Sequence, residues 1–117
     1  LCAHLLPNGL GTPNHFFFVI EDQDSRAKVG GLWYVISERD EKRQIFVMDI
    51  QVYQDYRRRG YGTRAFRVME EQARNRGISI ISLHVFAHNH SARAMYEKLG
   101  YVGADELMSK ELAAEAN

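Results

Sequence analysis

The sequence predicts one domain of the α/β (α+β) class, with a mixed, mostly antiparallel sheet that contains a central βαβ crossover. Two observations carry this prediction. Three strand-like runs joined by short polar turns come first. The hydrophobic periodicity then changes to the helical one after a basic, glycine-containing loop. At 117 residues the chain has room for one hydrophobic core, and we assign residues 1–117 to a single domain.

The first half of the chain is predicted to form an antiparallel meander. Residues 1–15 are rich in turn formers and are predicted to be a loop. Strands follow over 15–20, 28–37 and 45–53, separated by polar turns at 21–25 and 38–43. The third strand is the most apolar, which is typical of a central strand covered on both faces.

The second half supplies two helices and two strands. Apolar residues at helical spacing predict a first helix from Gly62 that stops at Gly77 and a second that stops at Gly100. A strand over 78–86 lies between them, and residues 102–111 form a last strand. The strand–helix–strand unit in the middle should be parallel and right-handed.

Composition excludes several classes of protein. The 15 basic and 15 acidic residues give zero net charge, which argues against a nucleic-acid binder. The single cysteine, Cys2, allows no internal disulfide, and we expect a cytoplasmic protein. No apolar run approaches the roughly 20 residues of a membrane helix, so no membrane partner is expected. Because the chain does not begin with Met, we expect it to be incomplete at its N-terminus.

The basic loop, residues 57–63, is the strongest chemical signal. It lies between an apolar strand and a helix, where the first helical turn presents unpaired N–H groups and partial positive charge. Glycines there allow the backbone to approach an anion, and arginines add fork-like donors. This composition fits a pyrophosphate, although a solvated turn is the alternative. The loop residues are Arg57, Arg58, Arg59, Gly60, Tyr61, Gly62 and Thr63.

Two motifs in the right order resemble those of the GNAT (Gcn5-related N-acetyltransferase) superfamily. Arg57-x-x-Gly60-x-Gly62 resembles the family's acyl-CoA loop, Q/R-x-x-G-x-G/A. The run that begins at Asn89 and contains Tyr96 and Gly100 resembles its closing segment. The resemblance covers about residues 16–112. Since the family has two helices between its first two strands, we expect this chain to lack the first strand and those N-terminal helices.

The resemblance implies an N-acetyltransferase that moves an acetyl group from acetyl-CoA to a primary amine. The pyrophosphate would lie on the basic loop. The pantetheine arm would follow the third strand, hydrogen-bonding the backbone near Ile50 and Val52, and would contact Asn89. Tyr96 would protonate the leaving thiolate. The alternatives are a helix cap for Asn89 and a core aromatic for Tyr96.

Two residues are candidates for the general base, either directly or through a water. Asp49 is a lone carboxylate within an apolar strand, where a charge needs a partner; a hydrogen bond or ion pair with the neighbouring strand is the alternative. His84 lies near the end of the following strand, and some family members carry a carboxylate base there. Imidazole chemistry suits the task, with a structural histidine as the alternative, and His84 is favoured over Asp49 because it lies closer to the expected slot for the thioester.

Other interpretations remain open. The spacing His84-x-x-x-His88-x-His90 is a weak metal motif, because this stretch reads as strand and loop with no further ligand, and no metal is expected. A non-catalytic acyl-CoA-binding or interaction module is the main alternative to an enzyme. The acceptor could be a small-molecule or a protein amine, and an exposed sheet edge makes a homodimer possible.

Overall fold

The computed structural model describes residues 3–7, 14–103 and 106–112. The described residues form six strands and two α-helices, and strands and helices alternate along the chain only after the fourth strand. The strands are β1 (Ala3–Pro7), β2 (His15–Asp22), β3 (Lys28–Arg39), β4 (Lys42–Val52), β5 (Ile80–His84) and β6 (Leu107–Glu111). The helices are α1 (Tyr61–Asn75), between β4 and β5, and α2 (His90–Lys98), between β5 and β6.

The strands form one sheet in which spatial order equals chain order, β1 to β6. Every neighbouring pair is antiparallel except β4 and β5, which are parallel. A parallel pair needs a crossover connection, and α1 supplies it. The predicted mixed sheet with a central βαβ unit is therefore confirmed.

The segment before His15 was predicted to be a loop, and for Ala3–Pro7 this is wrong. These residues form β1, which pairs with β2 from Ala3 opposite Asp22 to Pro7 opposite Phe18. The reason is long-range: the free edge of β2 offers a row of unpaired backbone groups, and the five-residue segment satisfies them. The sheet thus has a strand before β2 where the sequence predicted none. Among the described residues, no helix precedes β2.

The turn predicted at 38–43 is shorter than expected. β3 and β4 pair through to Arg39 opposite Lys42, so only Asp40 and Glu41 remain in the turn. Both have positive φ, +52° and +64°. This is the arrangement of a two-residue hairpin whose backbone twist matches that of the strands. Asp40 and Glu41 therefore form the tight turn of the long hairpin made by β3 and β4.

The core lies on one face of the sheet, which we call the inner face. Both helices cover it: Phe66 and Met69 of α1 and Leu99 after α2 pack over Ile45 and Leu83 of the central strands. Phe66 and Met69 are fully buried. Burying each such side chain contributes roughly 1.5–3 kcal/mol, so this layer supplies most of the driving force for folding.

The opposite, outer face is more open. Trp33 and Phe46 are only partly buried, and 46% of Met48 is exposed. The expectation that the third predicted strand is covered on both faces is therefore wrong within the described part of the chain. A near-continuous apolar run does not reveal whether a second layer is present, because either face of the strand can carry the apolar residues.

Candidate functional site

The site forms where β4 and β5 separate. The two strands pair only from Gln44 opposite Ile80 to Val47 opposite Leu83. β4 then continues to Val52, paired with β3 alone among the described strands. A bulge accompanies the separation: Tyr34 lies opposite Val47 and Trp33 opposite Asp49, so Met48 is the extra residue. The carboxyl end of β4 therefore borders a gap.

Peptide groups of β4 point into this gap. Tyr53 N–H donates to the Val29 carbonyl at 2.8 Å, which makes this a hydrogen-bonded pair of the antiparallel ladder. Because such pairs alternate along a ladder, the peptide groups of Ile50 and Val52 point away from β3. Arg57 Nε donates to the Val52 carbonyl at 2.8 Å. The N–H groups of Ile50 and Val52 consequently face the gap as donors.

The basic loop closes the end of the gap with the N-terminus of α1. Gly60 is the N-cap residue, with φ +85°, and no side chain caps the helix. The Arg64 N–H bonds to the Gly60 carbonyl at 3.0 Å, so the preceding amides of the first turn have no helical partner. A left-handed residue at this point favours glycine. The helix thus presents free donors and its positive end to the gap.

These elements enclose a cavity of about 590 Å³, which we call the first cavity. It lies between the end of β4, the start of α1 and the start of α2. Most predicted cofactor residues line it. They are Ile50, Val52, Arg57, Arg58, Gly60, Tyr61, Gly62, Thr63 and Asn89. Arg59 is exposed and does not appear in the lining; its guanidinium lies 5.8 Å from the Tyr56 ring centroid.

Tyr61 contributes to the site differently from the prediction. Its side chain is buried, and its hydroxyl donates to a carboxylate oxygen of Asp22, also buried. The phenol hydroxyl is therefore bonded to Asp22 beneath the loop. Tyr61 can contact a ligand in the cavity through its backbone. The same bond, aided by the Ser25 N–H, lowers the pKa of Asp22 to about 2. This pair ties the start of α1 to the end of β2.

We predict that Tyr61→Phe lowers the melting temperature by several degrees at pH 7. The pKa of Asp22 is lowered from its ordinary value of 3.8 to about 2. The hydrogen-bonded pair therefore contributes its full stabilisation above about pH 4. This stabilisation is lost as the pH falls through about 2, because the carboxylate becomes protonated. Thermal unfolding of both proteins between pH 7 and 2 should show the difference shrinking in acid. Tyr56→Phe, which removes a hydroxyl with no hydrogen bond to a described residue, is the control. A constant difference across this range would contradict the assignment.

Gly62 serves packing as well as the loop. A Cβ on Gly62 would lie 3.0 Å from Met95 Sδ. Glycine here lets α1 and α2 approach closely, which is a different reason from the anion contact that the sequence indicated. Met95 lines the first cavity together with Ala92, Ser91, Tyr56 and Gln51. The sequence analysis missed these five as site residues, because Ala92 and Met95 fit a core-facing helical stripe and nothing local places α2 beside α1.

Asn89 caps α2, as its alternative interpretation proposed. Its side-chain oxygen accepts from the Ala92 N–H at 3.2 Å. It also lines the first cavity, so a cap and a ligand contact are compatible. The side-chain NH₂ group is the donor left for a ligand.

Tyr96 lies beneath the site. It is 7% exposed, does not line the first cavity, and packs against Phe66 and Tyr101 at centroid distances of 5.4 and 6.3 Å. Burial raises the pKa of its phenol, and the negative charge of Asp49 raises it further. The phenol is thus held in its protonated form close enough to Asp49 to sense that charge.

The two base candidates lie outside the first cavity. Asp49 is exposed, so it needs no ion pair to offset burial. His84 is also exposed, with Nε2 3.3 Å from Glu106 Oε1 and the ring edge-on to Phe86. Glu106 additionally accepts from the Ala87 N–H at 2.7 Å. The structure does not bring His84 and Asp49 together with the loop residues.

The described residues contain no group of three or more His, Cys, Asp or Glu side chains that could hold a metal ion. His88 stacks on Phe86, and His90 begins α2. Likewise, none of the helices in the described part of the chain is long and apolar enough to cross a membrane.

Comparison with known proteins places the chain among acetyltransferases. Residues 3–101 match the model of the acetyltransferase (GNAT) family. The uncharacterized N-acetyltransferase YycN of Bacillus subtilis (strain 168) is 39% identical over 108 residues, which cover 92% of this chain and 69% of that protein. The crystal structure of YycN matches with a TM-score of 0.75 at 38% identity, covering 92% of this chain and 68% of that one.

Two further proteins extend the comparison. Thialysine N-epsilon-acetyltransferase of Mus musculus is 33% identical over 91 residues, 78% of this chain and 52% of that protein. A GNAT family acetyltransferase from Elizabethkingia anophelis with acetyl-CoA bound has a TM-score of 0.75 and 14% identity, over 94% of this chain and 98% of that one. The second likeness concerns the fold alone.

Proposed function

The chain belongs to the acetyltransferase (GNAT) family and is an acetyl-CoA-dependent acyltransferase, and from this premise we propose that it transfers acetyl directly to a primary amine. In this proposal Tyr96 acts as the general acid and the first cavity holds the CoA portion of acetyl-CoA. The observation that carries the proposal is the uncapped N-terminus of α1, which faces a cavity lined by arginines at the end of β4.

The donor set of the first cavity fits a pyrophosphate. The free amides of the first turn of α1 and the positive end of its dipole attract negative charge. Arg57 and Arg58 add guanidinium donors, and Thr63 adds a hydroxyl. Tyr61 acts through its backbone amide. Arg59, outside the lining, is assigned only a long-range contribution of charge.

We assign the pantetheine arm to the edge of β4. Its amide groups would continue the sheet by bonding the peptide groups of Ile50 and Val52 that face the gap, where β5 no longer pairs. Asn89 would contact the arm from the α2 side. This places the thioester near the point where the two strands separate, at the carboxyl ends of the strands, where α/β folds generally place their ligands.

The reaction requires three proton transfers: two protons leave the nitrogen and one reaches the sulfur. A base removes a proton from the ammonium group, whose pKa in a lysine-like amine is ~10.4. The amine nitrogen then forms a bond to the acetyl carbon, and backbone N–H groups of β4 stabilise the oxyanion. The carbon–sulfur bond breaks, and Tyr96 gives its proton to the thiolate. The nitrogen then loses its second proton, which returns through solvent to the Tyr96 phenolate, so that a neutral amide and a free thiol remain. The raised pKa of Tyr96 suits this role, since the phenol carries its proton at neutral pH.

We propose His84 as the general base, with Asp49 as the alternative; either acts directly or through a water. The Glu106 carboxylate, 3.3 Å from Nε2, favours His84, because this contact holds the imidazole ring in one orientation. The proximity of Asp49 to Tyr96 favours Asp49. The test is the dependence of kcat on pH. If the fall of kcat at acidic pH disappears in His84→Gln but persists in Asp49→Asn, His84 is the base. The opposite result would identify Asp49 as the base.

For the acceptor we propose an aliphatic primary amine. Asp49 and Glu106, at the site end of the sheet, would attract a cation. The 33% identity to a thialysine N-epsilon-acetyltransferase supports a lysine-like side-chain amine, and peptide amines are the second class to test. The possible homodimer and the cytoplasmic location stay predictions.

The test is calorimetric titration with acetyl-CoA, followed by detection of thiol release with thialysine, lysine, polyamines and a peptide. We expect micromolar binding and turnover with at least one aliphatic amine. Binding without turnover on any amine would favour the alternative of a non-catalytic acyl-CoA-binding module. The absence of binding would overturn the assignment of the first cavity.

A further inference from the structure

The outer face of the sheet carries an aromatic side chain close to the gap between β4 and β5. Leu32 and Tyr34 are buried in the core on the inner face, so the side chain of Trp33, between them, lies on the outer face. Trp33 pairs with Asp49 across the β3–β4 ladder, and residues directly opposite each other share a face. An exposed carboxylate therefore lies beside a half-buried indole where β4 has separated from β5.

Contacts on the β2 side hold the indole ring in one orientation. The Phe17 ring is stacked on Trp33, with ring centroids 5.0 Å apart and 20° between the ring planes. The Trp33 Nε1–H group donates to His15 Nδ1 at 3.1 Å. Because β2 and β4 lie on opposite sides of β3, the face of the indole that Phe17 leaves free is turned toward Asp49. A π-face and a carboxylate that border the same space favour a cation.

This cation site lies next to the proposed reaction centre. Burial and the negative charge of Asp49 raise the pKa of the Tyr96 phenol, so the Asp49 carboxylate is close to the proposed general acid. Neighbouring strands are about 4.8 Å apart, so a nitrogen in the gap beside β4 and a cation over the indole would be separated by roughly 5–8 Å. Four carbons in an extended chain place two nitrogens roughly 6 Å apart. A diamine of this length can therefore reach both positions at once.

We propose that Trp33 and Asp49 bind a second positive charge of the acceptor, so that the chain prefers aliphatic diamines to monoamines. The inference rests on the proposed acetyl transfer to an amine and names the substrate class of the same site. One amine of the acceptor lies in the gap and loses its proton. The other stays protonated, contacts the free face of the indole and pairs with the carboxylate. Since Asp49 then holds a cation, His84 is the base.

The experiment compares 1,4-diaminobutane with 1-aminopentane, which has the same length and a methyl group in place of the second ammonium. Steady-state thiol release gives kcat/KM for each acceptor. The wild-type ratio should be about 20-fold, of which about twofold comes from the two equivalent amines and the rest from the contacts with the cation. The ratio should fall at least about threefold in Trp33→Leu and recover in Trp33→Phe, which keeps an aromatic face.

Phe46→Leu is the matched control, because Phe46 is a half-buried aromatic residue of the same outer face that lies opposite Val35 and not beside Asp49. This variant should leave the ratio unchanged, and thermal unfolding shows whether each variant folds. A further acceptor tests the wild-type chain alone. (4-Aminobutyl)trimethylammonium has a quaternary end that contacts aromatic faces but donates no N–H, and it should keep an advantage of at least about threefold over 1-aminopentane.

Three results would each overturn this inference and leave the proposed function standing. They are a wild-type ratio no larger than the two equivalent amines explain, an unchanged ratio in Trp33→Leu, and no advantage for the quaternary acceptor. The absence of thiol release with every amine tested would overturn the proposed function as well.

Discussion

Replacing Gly60 with glutamate should abolish acetyl-CoA binding, with a loss of at least about 100-fold in affinity. The site of the substitution is the N-cap of α1, whose φ of +85° lies in the region that favours glycine. A non-glycine residue costs roughly 1–2 kcal/mol there. The larger effect is electrostatic, because the new carboxylate would lie among the free amides and arginines proposed for the pyrophosphate and would compete with it.

Two control variants separate charge from backbone strain. Gly77 also has a positive φ, +72°, and a Cβ there meets no atom within 4 Å, so Gly77→Glu adds the same side chain at the other end of α1. Gly60→Asn keeps the site uncharged with a residue that tolerates the left-handed region. Both should bind acetyl-CoA nearly as the wild-type chain does. Calorimetry decides: near-normal affinity in Gly60→Glu would show that the ligand lies elsewhere.

The elements that the sequence predicted correctly are those that depend on local pattern. Helix α1 follows from apolar residues at 3.6-residue spacing and from Gly77, and the basic loop follows from contiguous residues between a strand and a helix. Half of the lining of the first cavity was predictable in the same way, since seven of its 14 residues lie in that loop or are Asn89.

The structural features that could not be predicted from the sequence depend on contacts between distant segments. Strand β1 exists through pairing with β2, and the bulge at Met48 appears only when β3 and β4 are aligned. The Tyr61–Asp22 bond joins residues 39 positions apart. The contact between α1 and α2 at Gly62 and Met95 likewise depends on the approach of two helices that are far apart in the sequence. A local sequence pattern carries no information on which distant segments come into contact.

The chemical step offers the second large effect: Tyr96→Phe should lower kcat by about 100-fold or more and leave the affinity for acetyl-CoA unchanged. The ring would keep its contacts with Phe66 and Tyr101, so the fold should persist. Burial and the Asp49 carboxylate raise the pKa of the phenol, which therefore stays protonated until the pH rises above its ordinary value of 10.0. A general acid in this state supports kcat throughout the neutral range, and its loss should appear at every pH tested.

Tyr101→Phe is the matched control, because Tyr101 belongs to the same aromatic cluster but donates its hydroxyl to Glu70 at 3.0 Å. Removing that hydroxyl leaves a buried carboxylate with one partner fewer, so Tyr101→Phe should lower the melting temperature and spare kcat. Stopped-flow or steady-state thiol release and thermal unfolding measure both effects. If Tyr96→Phe retained kcat within about twofold, a water molecule would be the proton donor, and the role of Tyr96 would be to pack the floor of the site.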